Sequence, residues 1–279
     1  MDLKEPPRLS AHIERWPIAG TFSISRGSKT EAEVVVAEIN HGGITGRGEC
    51  VPYARYGESL QTTLSTILSV QQRITDGLDR RALQTALPAG AARNALDCAL
   101  IDLESKRAGA RAWEVLGRQR PQPCTTAYTI SLGSADAMAT AAAKAAHRPL
   151  LKIKLGSDDD VSRIVAVRRA APRSQLIVDA NEAWTDANLA VNIAACADAG
   201  VTLIEQPLPA GHDEALAAIH HRIAICADES VHDRASMSGL RERYDAVNIK
   251  LDKTGGLTEA VAMADAALAM GLDIMIGCM

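Results

Sequence analysis

Short apolar runs, each closed by a charged residue, divide the second half of the chain at nearly regular intervals. These charged residues recur every 22 to 26 positions and are Lys154, Asp179, Glu205, Asp228 and Lys250. A repeat of that length accommodates one strand, one helix and two loops. The carboxyl ends of consecutive parallel strands meet at one mouth of a barrel, where barrel enzymes carry their chemistry. The pattern therefore predicts that the five side chains gather at a single site.

Seven strands are predicted from Cys124 onward, with alanine-rich helices between them. They are expected at residues 125–132, 150–155, 175–179, 202–205, 223–228, 246–251 and 272–277. Such an alternation forms either an open doubly wound sheet or a closed barrel. Because no glycine-rich loop follows the first of these strands and several strands end in charge, the pattern favours an α/β fold of the modified, TIM-like (β/α)8 type. Closure needs an eighth unit, so we expect the last unit to be missing from this chain.

The first part of the chain follows a different pattern. Two β-branched runs at residues 31–39 and 44–51, joined through His41-Gly42-Gly43, predict a hairpin. Helices are predicted at residues 59–76 and 90–107, the second from apolar positions at helical spacing. These elements indicate an α+β domain over residues 1–120 and a barrel domain over residues 121–279, with the junction in a proline- and arginine-containing stretch.

Composition excludes several classes of function. The chain has 279 residues, is 47% hydrophobic and carries 34 acidic against 30 basic side chains, so it can bury a large core. Only 3% of residues are aromatic and basic residues are mixed with acids, so nucleic-acid binding is not expected. The absence of a signal segment and of a run near ~20 apolar residues favours a cytoplasmic protein without a membrane partner. Six scattered cysteines without a CxxC pair indicate neither disulfides nor structural zinc, and a homo-oligomer is compatible with the sequence.

Two lysines share one face of a predicted strand. In the sequence Leu151-Lys152-Ile153-Lys154-Leu155, residues two apart point the same way, here towards the barrel mouth. A solvated strand end is the alternative, because lysine is usually exposed. Two adjacent ammonium groups depress each other's pKa, which would give a base near neutral pH. Lys250 comes four strands after Lys154, so the two lysines would face each other across an eight-stranded barrel.

Three acids end three consecutive predicted strands, namely Asp179, Glu205 and Asp228. Each one alone also fits a helix N-cap or a loop acid. Together they would repel each other unless a cation is present, and a hard ion such as Mg²⁺ prefers oxygen ligands of this kind. Polar residues that could hold the surrounding loops follow them, namely Asn181, Gln206, Glu229 and Ser230.

These motifs resemble the enolase superfamily, within it the muconate-lactonizing subgroup, and especially its dipeptide epimerases of the L-Ala-D/L-Glu type. The matching motifs extend over nearly the whole chain and are Lys152-Ile-Lys154, Asp179-Ala-Asn181, Glu205-Gln-Pro207, Asp228-Glu-Ser230 and Lys250-Leu-Asp252. The resemblance implies that the three acids bind Mg²⁺ and that Lys154 and Lys250 are paired acid/base catalysts. It implies epimerisation of a small dipeptide through a stabilised enolate, in murein peptide metabolism.

The same resemblance gives the amino-terminal domain the role of a cap that selects substrate. Arg26 lies in a segment similar to the mobile loop of Ala-Glu epimerases, where an arginine pairs with the substrate's γ-carboxylate; a solvated hairpin charge is the alternative. Residues 49–58 resemble the second capping loop. The residues expected to contact substrate are Arg26, Lys152, Tyr53, Asp252 and Cys278. Family members carry an Asp-x-Asp pair on the eighth strand for the dipeptide ammonium group, and this pair lies beyond the chain.

Other interpretations stay open at this stage. The same site could serve muconate cycloisomerisation or o-succinylbenzoate synthesis, or the chain could be a non-catalytic or truncated barrel. Two further signals are interpreted as incidental. Lys253-Thr254-Gly255 matches a fragment of a β-lactamase signature, but the chain has no Ser-x-x-Lys. His232 has no ligand-type spacing and is expected on a loop surface.

Overall fold

The computed structural model describes residues 5–24, 27–156, 159–220 and 222–279. An antiparallel three-stranded sheet lies at the amino terminus, with the order β1 (Arg8–Ile24), β2 (Gly27–His41) and β3 (Ile44–Cys50). The predicted hairpin corresponds to β2 and β3, whereas β1 was missed. Pro17 and Gly20 interrupt the apolar pattern of β1, and the pairing with β2 shifts register between Pro17 and Phe22. Pairing with β2, rather than its own pattern, therefore defines this strand.

Helices cover one face of this small sheet. They are α1 (Leu60–Ser69), α2 (Gln71–Thr75), α3 (Arg80–Ala86), α4 (Ala91–Ala108) and α5 (Ala112–Val115). The single helix predicted at residues 59–76 is divided at Val70 into α1 and α2, and α3 was not predicted. The helix predicted at residues 90–107 corresponds to α4, whose Ala95, Leu96 and Ala99 are fully buried. Helix α4 therefore forms the centre of the N-terminal domain's core.

A seven-stranded parallel sheet follows, and its strands succeed one another in chain order from β4 to β10. The strands are β4 (Tyr128–Ile130), β5 (Leu150–Lys154), β6 (Gln175–Asp179), β7 (Val201–Glu205), β8 (Ala224–Ala227), β9 (Ala246–Ile249) and β10 (Asp273–Ile276). All seven predicted strands are confirmed, in a partial barrel of the expected class. Most are shorter than predicted, because the terminal residues continue in extended loops.

The connections between these strands are of two kinds. Four helices pack apolar side chains against the sheet, as predicted: α6 (Ala135–Ala145), α7 (Asp160–Ala170), α8 (Asp186–Asp198) and α10 (Leu257–Ala269). The prediction of helices on both sides of β8 was wrong. Among the described residues of these two connections, the helical segments are of the 3₁₀ type, at Glu214–Ala218, Arg234–Met237 and Leu240–Glu242. Pro207, Pro209 and Gly211 leave little room for an α-helix before β8, since proline and glycine disfavour helix interiors.

One short helix, α9 (Leu251–Thr254), lies between β9 and α10 and directly follows Lys250. It packs against α4 of the N-terminal domain. The hairpin of β1 and β2 also reaches the barrel, where the Leu132 backbone N–H donates to the Ser23 carbonyl at 3.2 Å. The N-terminal domain therefore contacts the barrel both through α4 and through the β1–β2 hairpin. Among the described residues, no helix is both long and apolar enough to cross a lipid bilayer.

Candidate active site

The strand ends bring the predicted charged residues to one edge of the parallel sheet. Lys154, Asp179 and Glu205 are the last residues of β5, β6 and β7, and they are direct register partners across the three strands. Asp228 and Lys250 follow the ends of β8 and β9. Neighbouring strands lie about 5 Å apart, so side chains on one face at this edge are within reach of one another.

Two lysines bind the acids on the β5 side. The Nζ atom of Lys152 lies 2.9 Å from Asp179 Oδ2 and 2.5 Å from Glu205 Oε2, so one ammonium group joins two carboxylates. Lys154 Nζ donates to Asp179 Oδ2 at 2.6 Å and to Asn181 Oδ1 at 3.2 Å. Asp179 therefore has a lysine on each side of a single oxygen atom.

Two other lysines bind Asp228 on the opposite side. Lys250 Nζ donates to Asp228 Oδ2 at 2.6 Å. Lys253 Nζ donates to Asp228 Oδ1 at 2.6 Å and also to the Asp228 backbone carbonyl. Sequence reasoning missed this contact of Lys253, whose side chain is only 1% exposed and binds the acid directly. Its position three residues after Lys250, on one turn of α9, was the available signal.

The lysines and acids shift each other's proton affinity. Burial would raise the pKa of Asp179, but Lys152 and Lys154 hold it well below its usual range. Lys253 and Lys250 do the same for the pKa of Asp228. Glu205 behaves differently, because burial and then the Asp179 carboxylate raise its pKa to about 7. Asn248 Nδ2 donates to Glu205 Oε1 at 2.8 Å, a contact that sequence reasoning missed although Asn248 alternates with Lys250.

The expected depression of the pKa is wrong for Lys152. Burial alone would lower the pKa of Lys152, but the carboxylates of Asp179 and Glu205 outweigh burial and raise it above its usual range. Burial likewise acts on Lys250, and Asp228 raises the pKa of that lysine. The carboxylates dominate because they lie within hydrogen-bond distance of the ammonium groups. Both lysines are therefore held in the charged form.

A glutamine cross-links the loops that carry Glu205 and Asp228. Gln206 Oε1 accepts from the backbone N–H groups of Asp228 at 2.8 Å and Ser230 at 3.1 Å. Gln206 Nε2 donates to the Leu208 carbonyl and to the Ser230 and Tyr244 hydroxyls. The φ of Gln206 is 34°, in the left-handed region, so its backbone is strained where its side chain is held most firmly.

The other two residues expected to support the loops lie beside the acids. Asn181 also has a left-handed φ, of 46°, and its N–H donates to Asp179 Oδ1 at 3.0 Å. Glu229 is buried directly after Asp228. Four lysines thus surround three carboxylates, and strained, cross-linked loops hold them in place. This arrangement is suited to moving protons at one carbon held between Lys154 and Lys250.

Two protein families match this chain in succession. Residues 9–117 match the mandelate racemase / muconate lactonizing enzyme N-terminal domain, and residues 135–279 match the enolase C-terminal domain-like family. The chain belongs to the enolase superfamily. The resemblance inferred from the strand-end motifs is thereby confirmed.

Individual relatives in the superfamily are similar over most of the chain. The L-Ala-D/L-Glu epimerase of Escherichia coli (strain K12) is 49% identical over 95% of this chain and 84% of that protein. A crystal structure of an enolase family member from Agrobacterium tumefaciens, with homology to dipeptide epimerases, contains bound sodium and L-Ala-L-Glu. It has a TM-score of 0.96 and is 54% identical over 98% of this chain and 84% of that one. A dipeptide epimerase from Enterococcus faecalis V583, complexed with Mg and L-Leu-L-Tyr, has a TM-score of 0.91 and 31% identity over 99% of this chain and 82% of that one.

The donor set fits the divalent cation that the superfamily resemblance implies. Asp179, Glu205 and Asp228 are fully buried, and burial and then the Asp179 carboxylate raise the pKa of Glu205. Three carboxylates are also hard oxygen donors. Within the described ranges, however, no group of three or more acidic, histidine or cysteine side chains surrounds one metal position. Lys152, Lys250 and Lys253 bind these oxygens instead, so metal binding requires the ammonium groups to exchange partners.

The second capping loop lies over this site. Arg55 forms an ion pair with Glu182, which follows β6, and Glu182 also accepts from the Ala210 N–H at 2.9 Å. The ring of Tyr56 meets that of His232 edge-on at 4.5 Å between centroids. His232 is therefore half-buried beneath this loop, and its expected place on a loop surface was wrong.

The predicted substrate residues occupy different environments. Tyr53 is half-buried beside Tyr56, with ring centroids 5.5 Å apart. Asp252 faces the N-terminal domain, where its Oδ1 accepts from Asn94 Nδ2 at 2.7 Å and from the Val51 N–H at 3.1 Å. Cys278 is a free, exposed thiol after β10. Arg26 lies outside the described residues. Lys152 thus lies in the core of the site, Tyr53 lies in the second capping loop, and Asp252 joins the two domains.

Proposed function

We propose that this chain is an isomerase that epimerises dipeptides with an acidic carboxyl-terminal residue, using Mg²⁺ and two lysine bases. The observation that carries the proposal is the position of Lys154 and Lys250 on either side of three buried carboxylates, four strands apart in the sheet. A carbon atom held between the two amines can lose a proton on one face and gain one on the other. The strong similarity to an L-Ala-D/L-Glu epimerase supports this reaction class.

Proton transfer is assigned to the two lysine Nζ atoms. The neutral amine of one lysine accepts the α-proton, while the ammonium group of the other donates a proton to the opposite face, and the reverse reaction exchanges these roles. A bound Mg²⁺ would supply positive charge next to the substrate carboxylate, where negative charge develops. Asp179 binds Lys154 and Asp228 binds Lys250, and Asp228 also favours the charged form of Lys250 by raising its pKa. Engagement of the same oxygens by a divalent cation would remove that preference and leave one lysine free to act as a base.

The relatives support a dipeptide as substrate, and the Agrobacterium tumefaciens structure with L-Ala-L-Glu supports an acidic one. We assign the selection of the acidic side chain to Arg26, and the reaction to murein peptide metabolism in the cytoplasm. Replacement of Arg26 by Met should lower kcat/KM for L-Ala-L-Glu by roughly tenfold to a hundredfold, and much less for L-Ala-L-Leu. Arg55→Met is the matched control. Since Arg55 pairs with Glu182, its loss should affect both substrates alike.

The deciding experiment is NMR of substrate in D₂O with Mg²⁺ present. L-Ala-L-Glu should lose its α-proton signal at the glutamyl residue and give the D-Glu epimer, and chelation of Mg²⁺ should stop both changes. A panel with L-Leu-L-Tyr, a muconate and the o-succinylbenzoate synthase substrate separates the alternatives. Turnover of only the last two would refute the epimerase assignment. Binding of dipeptide without exchange would indicate a non-catalytic barrel.

A further inference from the structure

Helix α4 of the N-terminal domain contacts the segment that follows the catalytic lysine Lys250. We propose that Arg93 on this helix is a positioning residue, which fixes Lys250 by binding residues 254–255. The inference rests on the proposed function only in taking Lys250 as one of two bases. It gives the N-terminal domain a part in proton transfer as well as in covering the substrate.

The guanidinium of Arg93 is buried between the two domains and binds four backbone carbonyls. Its Nη2 donates to the Thr254 carbonyl at 2.6 Å and its Nε to the Gly255 carbonyl at 3.0 Å. Its Nη1 donates to the carbonyls of Gln84 at 3.1 Å and Leu87 at 3.2 Å within the N-terminal domain. The last carbonyls of a helix have no partner within the helix. Arg93 therefore supplies donors from the other domain at the point where α9 ends.

Two neighbours on the same face of α4 extend this contact. Asn94 Nδ2 donates to Asp252 Oδ1 at 2.7 Å, inside α9. Asp97 Oδ2 accepts from the Thr258 N–H at 2.9 Å, in the first turn of α10. Asp97 is four residues after Arg93 and three after Asn94, and both spacings place side chains next to each other on a helix. Polar side chains of α4 thus bind the whole stretch from Asp252 to Thr258.

Two glycines in this stretch allow the close approach. Gly255 has a φ of +70°, and a Cβ there would lie 2.5 Å from Arg93 Nε. Gly256 has a φ of +116°, and a Cβ there would lie 2.4 Å from Asp97 Cβ. Both conformations are rare for residues with a side chain. The segment is therefore shaped to receive the side chains of α4 directly against its backbone.

A continuous series of hydrogen bonds connects Arg93 to Lys250 through Thr254. The Lys250 carbonyl accepts from the N–H groups of Lys253 and Thr254, both at 3.0 Å. On the inner side of the same turn, Lys250 and Lys253 hold the two oxygens of Asp228. A shift of the Thr254 carbonyl would therefore move Lys250 relative to Asp228. Lys154 has no such dependence, because it ends β5 and its contacts are to Asp179 and Asn181 within the barrel.

The test compares Lys250 with Lys154 in the Arg93→Met protein. In D₂O, α-proton exchange is measured separately from L-Ala-L-Glu and L-Ala-D-Glu, after Lys154→Ala and Lys250→Ala have established which epimer each lysine deprotonates. The rate of exchange that depends on Lys250 should fall about tenfold or more, because a small displacement of a base lowers the rate by a large factor. The rate of exchange that depends on Lys154 should change less than about twofold. Arg107→Met is the control on the same helix, since Arg107 contacts His41 and lies far from α9.

A second readout does not require turnover. Reductive methylation with formaldehyde, followed by peptide mass spectrometry, reports the reactivity of each lysine in the folded protein. Arg93→Met should raise the ratio of Lys250 to Lys154 modification at least about threefold, as expected for local loosening around α9. If Arg93→Met does not fold, Asn94→Ala should show a smaller change in the same ratio. Equal changes at both lysines, or no change, would overturn the proposal. Absence of exchange in the unsubstituted protein would refute the proposed function while the methylation ratio still tests the positioning.

Discussion

The two sides of the barrel mouth hold their lysines in different ways. Lys154 ends a strand with a neighbouring strand on each side, and its partners Asp179 and Asn181 come from the next strand and its loop. Lys250 stands at the junction of β9 and the short helix α9, which packs against the N-terminal domain. Under the proposed two-base mechanism, the sheet itself would place the first base and contacts between domains would place the second. Two groups with equivalent chemical roles would then be held by different parts of the fold.

The largest expected effect concerns the lysines themselves. Lys154→Ala and Lys250→Ala should each lower the rate of epimerisation by about 10³-fold or more, because each removes a proton-transfer group. Each variant should nevertheless keep α-proton exchange with one epimer, and the two variants should keep it with opposite epimers. Exchange is measured by NMR in D₂O. Retention of near-normal epimerisation by either variant would contradict the two-base assignment.

The next expected effect follows from removal of Mg²⁺, which should make the ionisation of Glu205 visible in the pH dependence of stability. With the cation chelated, burial and the neighbouring carboxylates raise the pKa of Glu205 to about 7 in the fold, against a usual value of 4.5. The folded protein then binds this proton more tightly than the unfolded chain does. Stability should therefore decrease as the pH rises from about 4.5 to about 7, by on the order of 1–3 kcal/mol, and level off above that.

Glu205→Gln provides the control for this pH dependence, since it keeps an oxygen for Asn248 and removes the ionisable group. In denaturant titrations with EDTA, the variant should lose the part of the slope between about pH 4.5 and pH 7 that Glu205 contributes. With Mg²⁺ present, the unsubstituted protein should be the more stable of the two at pH 8. An identical pH slope in both proteins without metal would show that Glu205 is not the group responsible.

Substitution of Lys253 tests how strongly the Lys250 side of the barrel mouth depends on one lysine for stability. Lys253→Met should lower the free energy of unfolding by about 3 kcal/mol, because it leaves part of the Asp228 charge buried without its partner. On the other side, Lys154→Met should lower the free energy of unfolding by less, since Lys152 still binds the same oxygen of Asp179. Urea denaturation of the two variants in EDTA makes the comparison. Equal losses would mean that both sides tolerate removal of one lysine in the same way.

The fold was predictable wherever local pattern and tertiary environment agree. Strand β6 has the predicted bounds because Leu176-Ile177-Val178 is a continuous apolar run that ends in a buried acid. Strand β1 was missed although apolar and polar residues alternate from Leu9 to Glu14, because Pro17 and Gly20 interrupt the pattern further along. The 3₁₀ connections around β8 were also missed, since an apolar residue every third or fourth position fits either kind of helix.

The site was predictable as far as it depends on strand ends. A regular repeat of charged residues after apolar runs was sufficient for the three acids and for Lys154 and Lys250. The roles of Lys253 and Arg93 depend instead on partners 25 and 162 positions away in the sequence. No local pattern reports such contacts. The expected direction of the Lys152 pKa shift was wrong for the same reason, because it depends on how closely the carboxylates approach.

The smallest expected effect concerns Asp252, which joins α9 to the N-terminal domain on the Lys250 side. Burial raises its pKa to about 6, although hydrogen bonds from Asn94 and Val51 oppose the shift. The folded-state pKa is above the usual value of 3.8, so stability from the bound proton is complete below about pH 4 and is lost as the pH rises through about 6.

Asp252→Asn should therefore stabilise the protein at pH 7 to 8 by about 1 kcal/mol, and this gain should vanish below about pH 4. The asparagine oxygen can still accept from Asn94 and Val51, so the contact between domains is kept. Asp252→Ala is the matched control, and it should destabilise at every pH because both donors lose their acceptor. Denaturant titrations at pH 4 and pH 8 measure the difference. A loss of stability in Asp252→Asn at pH 8 would show that the ionised carboxylate holds α9 to the N-terminal domain, and that the Lys250 side depends on charge as well as on hydrogen bonds.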